Sequence, residues 1–193
     1  VILDIVLNHT GDVFEYVLND GDPAAEVGWT PVPHPVRWRD DAGHGHPEWS
    51  SPPVNAPEDA AVLPVELRRN AFFRRQGRGN ALAGDFGSLK GLVTSLEVHG
   101  EQEAVPSPLC DVLTRAYQYL IAKYDVDGFR IDTLKHVDPA FAEVFAKAVR
   151  KFAVDIGKEN FFIFGEVYDE EEAIARFVNP ERSLDGEARG VDA

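Results

Sequence analysis

The chain has 193 residues, 44% of them hydrophobic and 27% charged, a balance that excludes a disordered or membrane-embedded polypeptide. A formal net charge of −14 disfavours a nucleic-acid partner, which needs clustered Lys and Arg, and suits a neutral or cationic ligand. The single cysteine, Cys110, excludes an internal disulfide and any cysteine-based metal site.

The first strand is expected over residues 1–8 and ends in polar groups. It reads as a strand already under way. The chain contains no Met, so Val1 is not expected to be the start of translation, and any targeting segment would lie upstream. Localisation stays open between cytoplasmic and secreted. No apolar run is long enough to span a bilayer.

Residues 10–106 lose clear periodicity and are rich in Pro, Gly and His. Structureless connections longer than about 12–15 residues are uncommon, so this stretch is read as a subdomain. Trp29, Trp38, Trp49, Phe72 and Phe73 are the candidates for its small core, with some left to stack on a ligand. His34, His44 and His46 fall in a Pro/Gly-rich stretch that lacks a third zinc ligand at a recognised spacing, and a surface loop is expected. The basic cluster at residues 68–78 is expected to be solvated.

A helix follows over residues 108–124, capped by Ser107, with Leu109, Val112, Leu113, Ala116 and Leu120 on one face. Cys110 lies on it and is expected to be buried packing. A second strand is expected over residues 126–132. The next helix, residues 139–156, starts from Asp138 as N-cap and Pro139 in the first turn, and Phe141, Phe145, Val149, Phe152 and Ile156 recur at helical spacing. A third strand over residues 161–167 and a helix over residues 170–178 complete the order. This alternation predicts an α/β fold with parallel strands and right-handed crossovers.

Side chains alternate across a strand, so Arg130 and Asp132 share one face while Phe129 and Ile131 share the other. By the same parity Phe162, Phe164 and Glu166 share a face, as do Ile2, Asp4, Val6 and Asn8. In a barrel, Phe129 and Ile131 would meet the helices and the polar groups would gather at the carboxyl ends of the strands, where barrel enzymes keep their active sites. If the last two strands are neighbours, Asp132 and Glu166 come within reach of a retaining glycosidase pair, about 5–5.5 Å apart. Asp132, two residues from the Arg130 cation, is expected to stay ionised as nucleophile. Glu166, among apolar neighbours, is expected to hold its proton longer and act as acid, then base.

DIVLNH at residues 4–9, GFRIDTLKH at residues 128–136 and GEV at residues 165–167 closely resemble three sequence regions of the α-amylase superfamily, glycoside hydrolase family 13, in the right order. GDF at residues 84–86 is similar to a short motif late in the subdomain that family carries after its third barrel strand. The resemblance implies a partial (β/α)8 TIM barrel: residues 1–9 as the third strand, residues 10–106 as a domain B-like subdomain, and residues 107–193 continuing through the fourth and fifth strands and their helices. It also implies Asp132 as nucleophile, Glu166 as general acid and base, and Arg130 as the group that holds Asp132. His9 resembles the histidine that hydrogen-bonds the sugar ring, Lys135 and His136 resemble residues lining the acceptor side, and Asp4 resembles a supporting carboxylate. Asn8 and Asp85, with the His136 backbone carbonyl, match positions that often bind a structural Ca²⁺. No organic cofactor is implied.

The activity implied is retaining hydrolysis of α-glucosidic bonds in starch-like α-glucans. Lys135 followed by His136 leans towards enzymes acting on longer chains. α-Glucan transglycosylases and trehalose-forming isomerases share these regions. A non-catalytic amylase-like binding protein and a zinc-dependent barrel hydrolase are the rivals from other classes. The family's remaining catalytic aspartate, in a motif of the form NHD on a later strand, does not follow Val167. The chain is therefore expected to need the rest of the barrel, and to be inactive alone.

Overall fold

The computed structural model of the protein describes residues 1–18, 21–50, 60–79, 84–97 and 105–177. The described chain divides into two compact units, one of Val1–Asn8 with Thr94–Ala193, the other of His9–Val93. The inserted unit, so bounded, ends at Val93, and the described residues Thr94–Glu97 and Val105–Pro106 belong to the first unit.

The first unit is built on a parallel sheet of β1 (Ile2–Val6), β9 (Gly128–Asp132) and β10 (Phe162–Gly165), in the order β1-β9-β10. Ile2 pairs with Gly128 and Val6 with Asp132, while Phe162 pairs with Gly128 and Gly165 with Ile131. A short ladder of β7 (Ser95–Leu96) and β8 (Val105–Pro106) precedes the first helix. Helix α1 (Leu109–Tyr124) connects β8 to β9, and α2 (Pro139–Asp155) connects β9 to β10. The short helix α3 (Glu171–Ala175) follows β10. Its expected continuation to residue 178 lies outside the described residues.

The helices form for the reasons their sequences offer. Asp138 accepts a hydrogen bond from the Ala140 amide, and Pro139 occupies the first turn, where its missing N–H costs nothing. Helix α1 starts one residue later than expected. Pro108 takes its cap position, and Ser107 Oγ accepts from the Leu109 amide at 3.3 Å. It ends at Asp125 in a left-handed conformation, φ 54°. The buried faces, Leu109, Val112, Leu113 and Ile121 on α1 and Phe141, Phe145, Ala146 and Val149 on α2, pack the two helices together.

Strand alternation decides which face of the sheet the helices cover. Ile5, Phe129, Ile131 and Ile163 are buried on one side, and the Tyr117 ring meets Phe129 and Phe145 edge-on at 5.5 and 5.7 Å. The opposite face carries Asp4, Arg130, Asp132 and Glu166, together with the exposed apolar side chains Ile2 and Phe162. Burying one hydrophobic face against helices while the other bears charge is what the period-2 pattern of these strands dictates.

The inserted unit contains a three-stranded antiparallel sheet of β3 (Phe14–Val17), β4 (Pro23–Ala24) and β5 (Val36–Trp38), in the order β4-β3-β5. A second ladder joins β2 (His9–Thr10) to β6 (Lys90–Gly91). Its core differs from the expectation. Trp38, Phe72 and Phe73 are buried as expected, but Phe14 and Tyr16 join them, whereas Trp29 is 49% exposed and Trp49 stacks on His46 at 3.9 Å. Phe14, Trp38 and Phe73 meet in edge-to-face pairs at 5.1 to 5.5 Å, the geometry favoured by the ring quadrupole.

The basic stretch at residues 68–78 is not simply solvated. Arg68 is buried and donates from Nε to the Val62 carbonyl at 2.7 Å, and burial pulls the Arg74 and Arg75 guanidinium pKa values down. The histidine loop is held by carboxylates. His46 contacts Asp40 at 3.1 Å and Glu48 at 3.0 Å, and these two partners raise its pKa. Cys110 is buried as expected, and burial pushes its thiol up to about 11. No described helix is long and apolar enough to cross a membrane.

Candidate active site

Four charged side chains from the three parallel strands meet on the open face of the sheet. Arg130 Nη1 donates to both Asp4 oxygens, each at 3.0 Å, and to Asp132 Oδ1 at 2.7 Å. Its Nη2 donates to Glu166 Oε2 at 2.8 Å. The rigid fork of a guanidinium spreads its donors over two terminal nitrogens, so one side chain holds three carboxylates in fixed directions. The hydrogen bond to Asp4 does most to raise the Arg130 pKa, and Asp132 adds to it.

The strands explain why these groups converge. Asp4 is the register partner of Arg130, and Val6 that of Asp132, so β1 and β9 place their polar ends level. Glu166 lies one residue beyond β10, and its amide donates to the Ile131 carbonyl at 2.9 Å, which continues the ladder past the last strand residue. Gly165 allows this close approach, because a Cβ there would run into the Leu134 side chain. The geometry differs from the expected division in one respect. Asp132 and Glu166 both take a hydrogen bond from the same cation, so Glu166 is not left among apolar neighbours.

The segment after Asp132 is turned sharply. Thr133 adopts φ 51°, a left-handed conformation rarely taken by a β-branched residue, and the 3-10 turn Leu134–His136 follows. The His136 amide closes this turn on the Thr133 carbonyl at 2.9 Å. Thr133 Oγ1 donates to Asn8 Oδ1 at 2.8 Å, tying the loop after β9 to the end of β1. Lys135 Nζ reaches the loop after β10, donating to the Tyr168 carbonyl at 3.0 Å, with Asp169 Oδ2 at 3.9 Å. Behind the sheet, the Tyr117 hydroxyl donates to the Val6 carbonyl at 2.8 Å.

Of the residues singled out from sequence, the structure thus joins Asp4, Arg130, Asp132 and Glu166 directly. Lys135, His136 and Asn8 flank them within the same unit. His9 and Asp85 belong to the inserted unit, where the His9 ring lies 5.6 Å from Phe86. Sequence reasoning missed Thr133, Tyr117 and the carbonyl of Tyr168. Thr133 directly follows a strand end, where no periodic signal marks it. Tyr117 has the spacing of one more core aromatic on its helix. Tyr168 acts through its backbone, to which residue type gives no clue.

Of the side chains expected as Ca²⁺ donors, Asn8 belongs to the first unit and Asp85 to the inserted one, and each already accepts a hydrogen bond from a neighbour. Asp85 is 3% exposed, and both its oxygens are engaged, Oδ2 by the Tyr16 hydroxyl at 2.5 Å and Oδ1 by the Gly91 amide at 2.8 Å. The ammonium of Lys90 stands 3.9 Å from Oδ2. Asn8 Oδ1 is engaged by Thr133. Among the described residues, no group of three or more His, Cys, Asp or Glu side chains is placed to hold a metal.

The family model "Alpha amylase, catalytic domain" matches residues 1–187. An alpha-amylase from Streptomyces lividans is 30% identical over 191 residues, covering 90% of this chain and 20% of that protein. A cyclomaltodextrin glucanotransferase from Klebsiella oxytoca is 39% identical over 59 residues, 28% of this chain and 9% of that protein. The crystal structure of the alpha-amylase from Geobacillus thermoleovorans complexed with acarbose overlaps 58% of this chain and 20% of that one, at 25% identity and a TM-score of 0.37. The chain therefore spans a small part of the relatives it matches. Three parallel strands with helical crossovers, a charged cluster at their carboxyl ends, and a family match that runs from Val1 to residue 187 agree with one another: the chain belongs to the alpha-amylase family, within its TIM-barrel-type catalytic domain.

Proposed function

We propose that this chain forms part of a retaining glycosidase that acts on the α-glucosidic bonds of starch-like α-glucans. The observation that carries the reading is the Arg130 guanidinium shared by Asp132 and Glu166 at the carboxyl ends of adjacent parallel strands. An Asp132 carboxylate oxygen attacks the anomeric carbon, and the bond to the leaving-group oxygen breaks as Glu166 donates a proton to that oxygen. In the second half, Glu166 takes a proton from water as the water oxygen attacks the same carbon, and the Asp132 carboxylate leaves. Arg130 fixes the directions of both carboxylates, and Asp4 braces Arg130.

His9, Lys135 and His136 are the proposed sugar contacts. Lys135 is well placed for this, since its bond to the Tyr168 carbonyl spans the loops that follow β9 and β10. The remaining carboxylate of the catalytic set would come from a part of the barrel beyond the three strands described. That part would also cover the open apolar face of Ile2 and Phe162.

The test is Asp132→Asn in the full-length protein, assayed on starch and maltooligosaccharides. Loss of turnover, with binding of maltooligosaccharide retained, is expected; undiminished turnover would contradict the assignment. The similarity to a cyclomaltodextrin glucanotransferase favours transglycosylation as the second reading. Product analysis separates the two: transfer yields glucans longer than, or cyclised from, the starting oligosaccharide.

A further inference from the structure

Lys90 is fully buried, and the proposed chemistry makes no use of it. Its Nζ donates to the Ala25 carbonyl at 2.7 Å and lies 3.1 Å from Asp12 Oδ1 and 3.9 Å from Asp85 Oδ2. It also stands 5.0 Å from the ring centroid of Phe14 and 4.8 Å from that of Tyr16. A buried charge is tolerated only where it is paired and hydrogen-bonded, and here a carbonyl, two carboxylates and two π systems surround it. β6 holds its backbone in place by pairing Lys90 with Thr10 and Gly91 with His9.

Asp85 poses the complementary problem. It is a deeply buried carboxylate whose hydrogen-bond donors, the Tyr16 hydroxyl and the Gly91 amide, are both neutral. Such a group needs a cation close by. We infer that Lys90 is the resident cation of the inserted unit: its ammonium supplies to Asp85 and Asp12 the charge compensation that a divalent ion would supply, and the unit keeps its fold without calcium. A dication brought to Asp85 would meet this ammonium and would have to share the carboxylate with the Tyr16 hydroxyl and the Gly91 amide. The arrangement lies wholly in the inserted unit and does not depend on the catalytic reading.

Hydrogen exchange of the full-length protein tests this locally, so an ion bound elsewhere does not confuse the result. Peptides covering residues 12–17 and 84–93 are compared in excess EDTA and in CaCl2. Equal exchange in the two conditions is expected. Faster exchange in EDTA that CaCl2 reverses would overturn the inference. Lys90→Met should speed exchange of the same peptides by roughly a hundredfold, because it leaves buried carboxylates uncompensated; unchanged exchange in this variant would also overturn it. If Lys90→Met does not accumulate as folded protein, the comparison of EDTA with CaCl2 in the unsubstituted protein decides alone.

Discussion

Removing the Arg130 guanidinium should cost catalysis far more than it costs binding. Arg130 is 27% exposed and donates one bond each to Asp132 and Glu166 and two to Asp4. A hydrogen bond to a charged group contributes about 1.5–3 kcal/mol, and partial exposure puts these at the lower end, about 1.5 kcal/mol each. Loss of the bonds to the two proposed reacting carboxylates then amounts to about 3 kcal/mol, or roughly a hundredfold in rate. Arg130→Ala in the full-length protein should therefore lower kcat on maltooligosaccharides about a hundredfold while KM changes little, because the carboxylates act on the transition state. Arg130→Lys keeps the charge but not the fork, and should fall between the two. Initial rates from reducing-sugar release measure both constants. A kcat for Arg130→Ala within threefold of the unsubstituted enzyme would refute the reasoning, as would Arg130→Lys acting like the unsubstituted enzyme.

Three further outcomes follow from the same geometry. Thr133→Gly relieves a left-handed conformation worth about 1 kcal/mol and loses a hydroxyl bond of similar size, so Tm should hardly move; Thr133→Val loses the bond and keeps the strain, so its Tm should fall. Equal Tm values for the two variants would contradict this balance. Phe145→Ala removes a fully buried ring that meets Tyr117, and should destabilise by about 3–5 kcal/mol in urea unfolding; a loss below about 1 kcal/mol would show that the site collapses around the gap. The Cys110 thiol, at about 11 against an ordinary 9.0, should resist a thiol reagent at pH 8 in the folded protein and react once denatured. The unfolded thiol ionises first, so this group's contribution to stability declines as pH rises above 9.0 towards 11. Rapid labelling of the native protein at pH 8 would contradict the burial.

Much of the sheet-and-helix unit was legible because its signals are periodic. Phe141, Phe145 and Val149 recur at helical spacing, and Asp138 with Pro139 marks the start, so α2 ends within a residue of the expectation. Parity alone put Arg130 and Asp132 on the face away from the helices, and register pairing then brought Asp4 level with Arg130. The inserted unit was less legible. Its strands are two to four residues long, too short to show alternation, so Trp29 and Trp49 passed for core while Phe14 and Tyr16 did not. Lys90 was invisible for a related reason: a lysine in a two-residue strand reads as surface, and only the arrival of Asp12 and Ala25 from distant parts of the sequence, beside the nearby Asp85, surrounds it.

The sharing of Arg130 between two carboxylates could not be read from sequence either. Parity fixes the face on which a side chain lies, whereas the bond to Glu166 depends on how far β10 carries its ladder past Gly165. That bond matters to the central claim, since it ties the proposed nucleophile and acid to one positioning group. Trapping tests the claim most directly: the full-length protein is incubated with 5-fluoro-α-glucosyl fluoride, digested with a protease, and the peptides are analysed by mass spectrometry. A glycosyl adduct is expected on the peptide containing Asp132, located on that side chain by fragmentation. An active enzyme that carries no adduct, or carries it on another carboxylate, would contradict it.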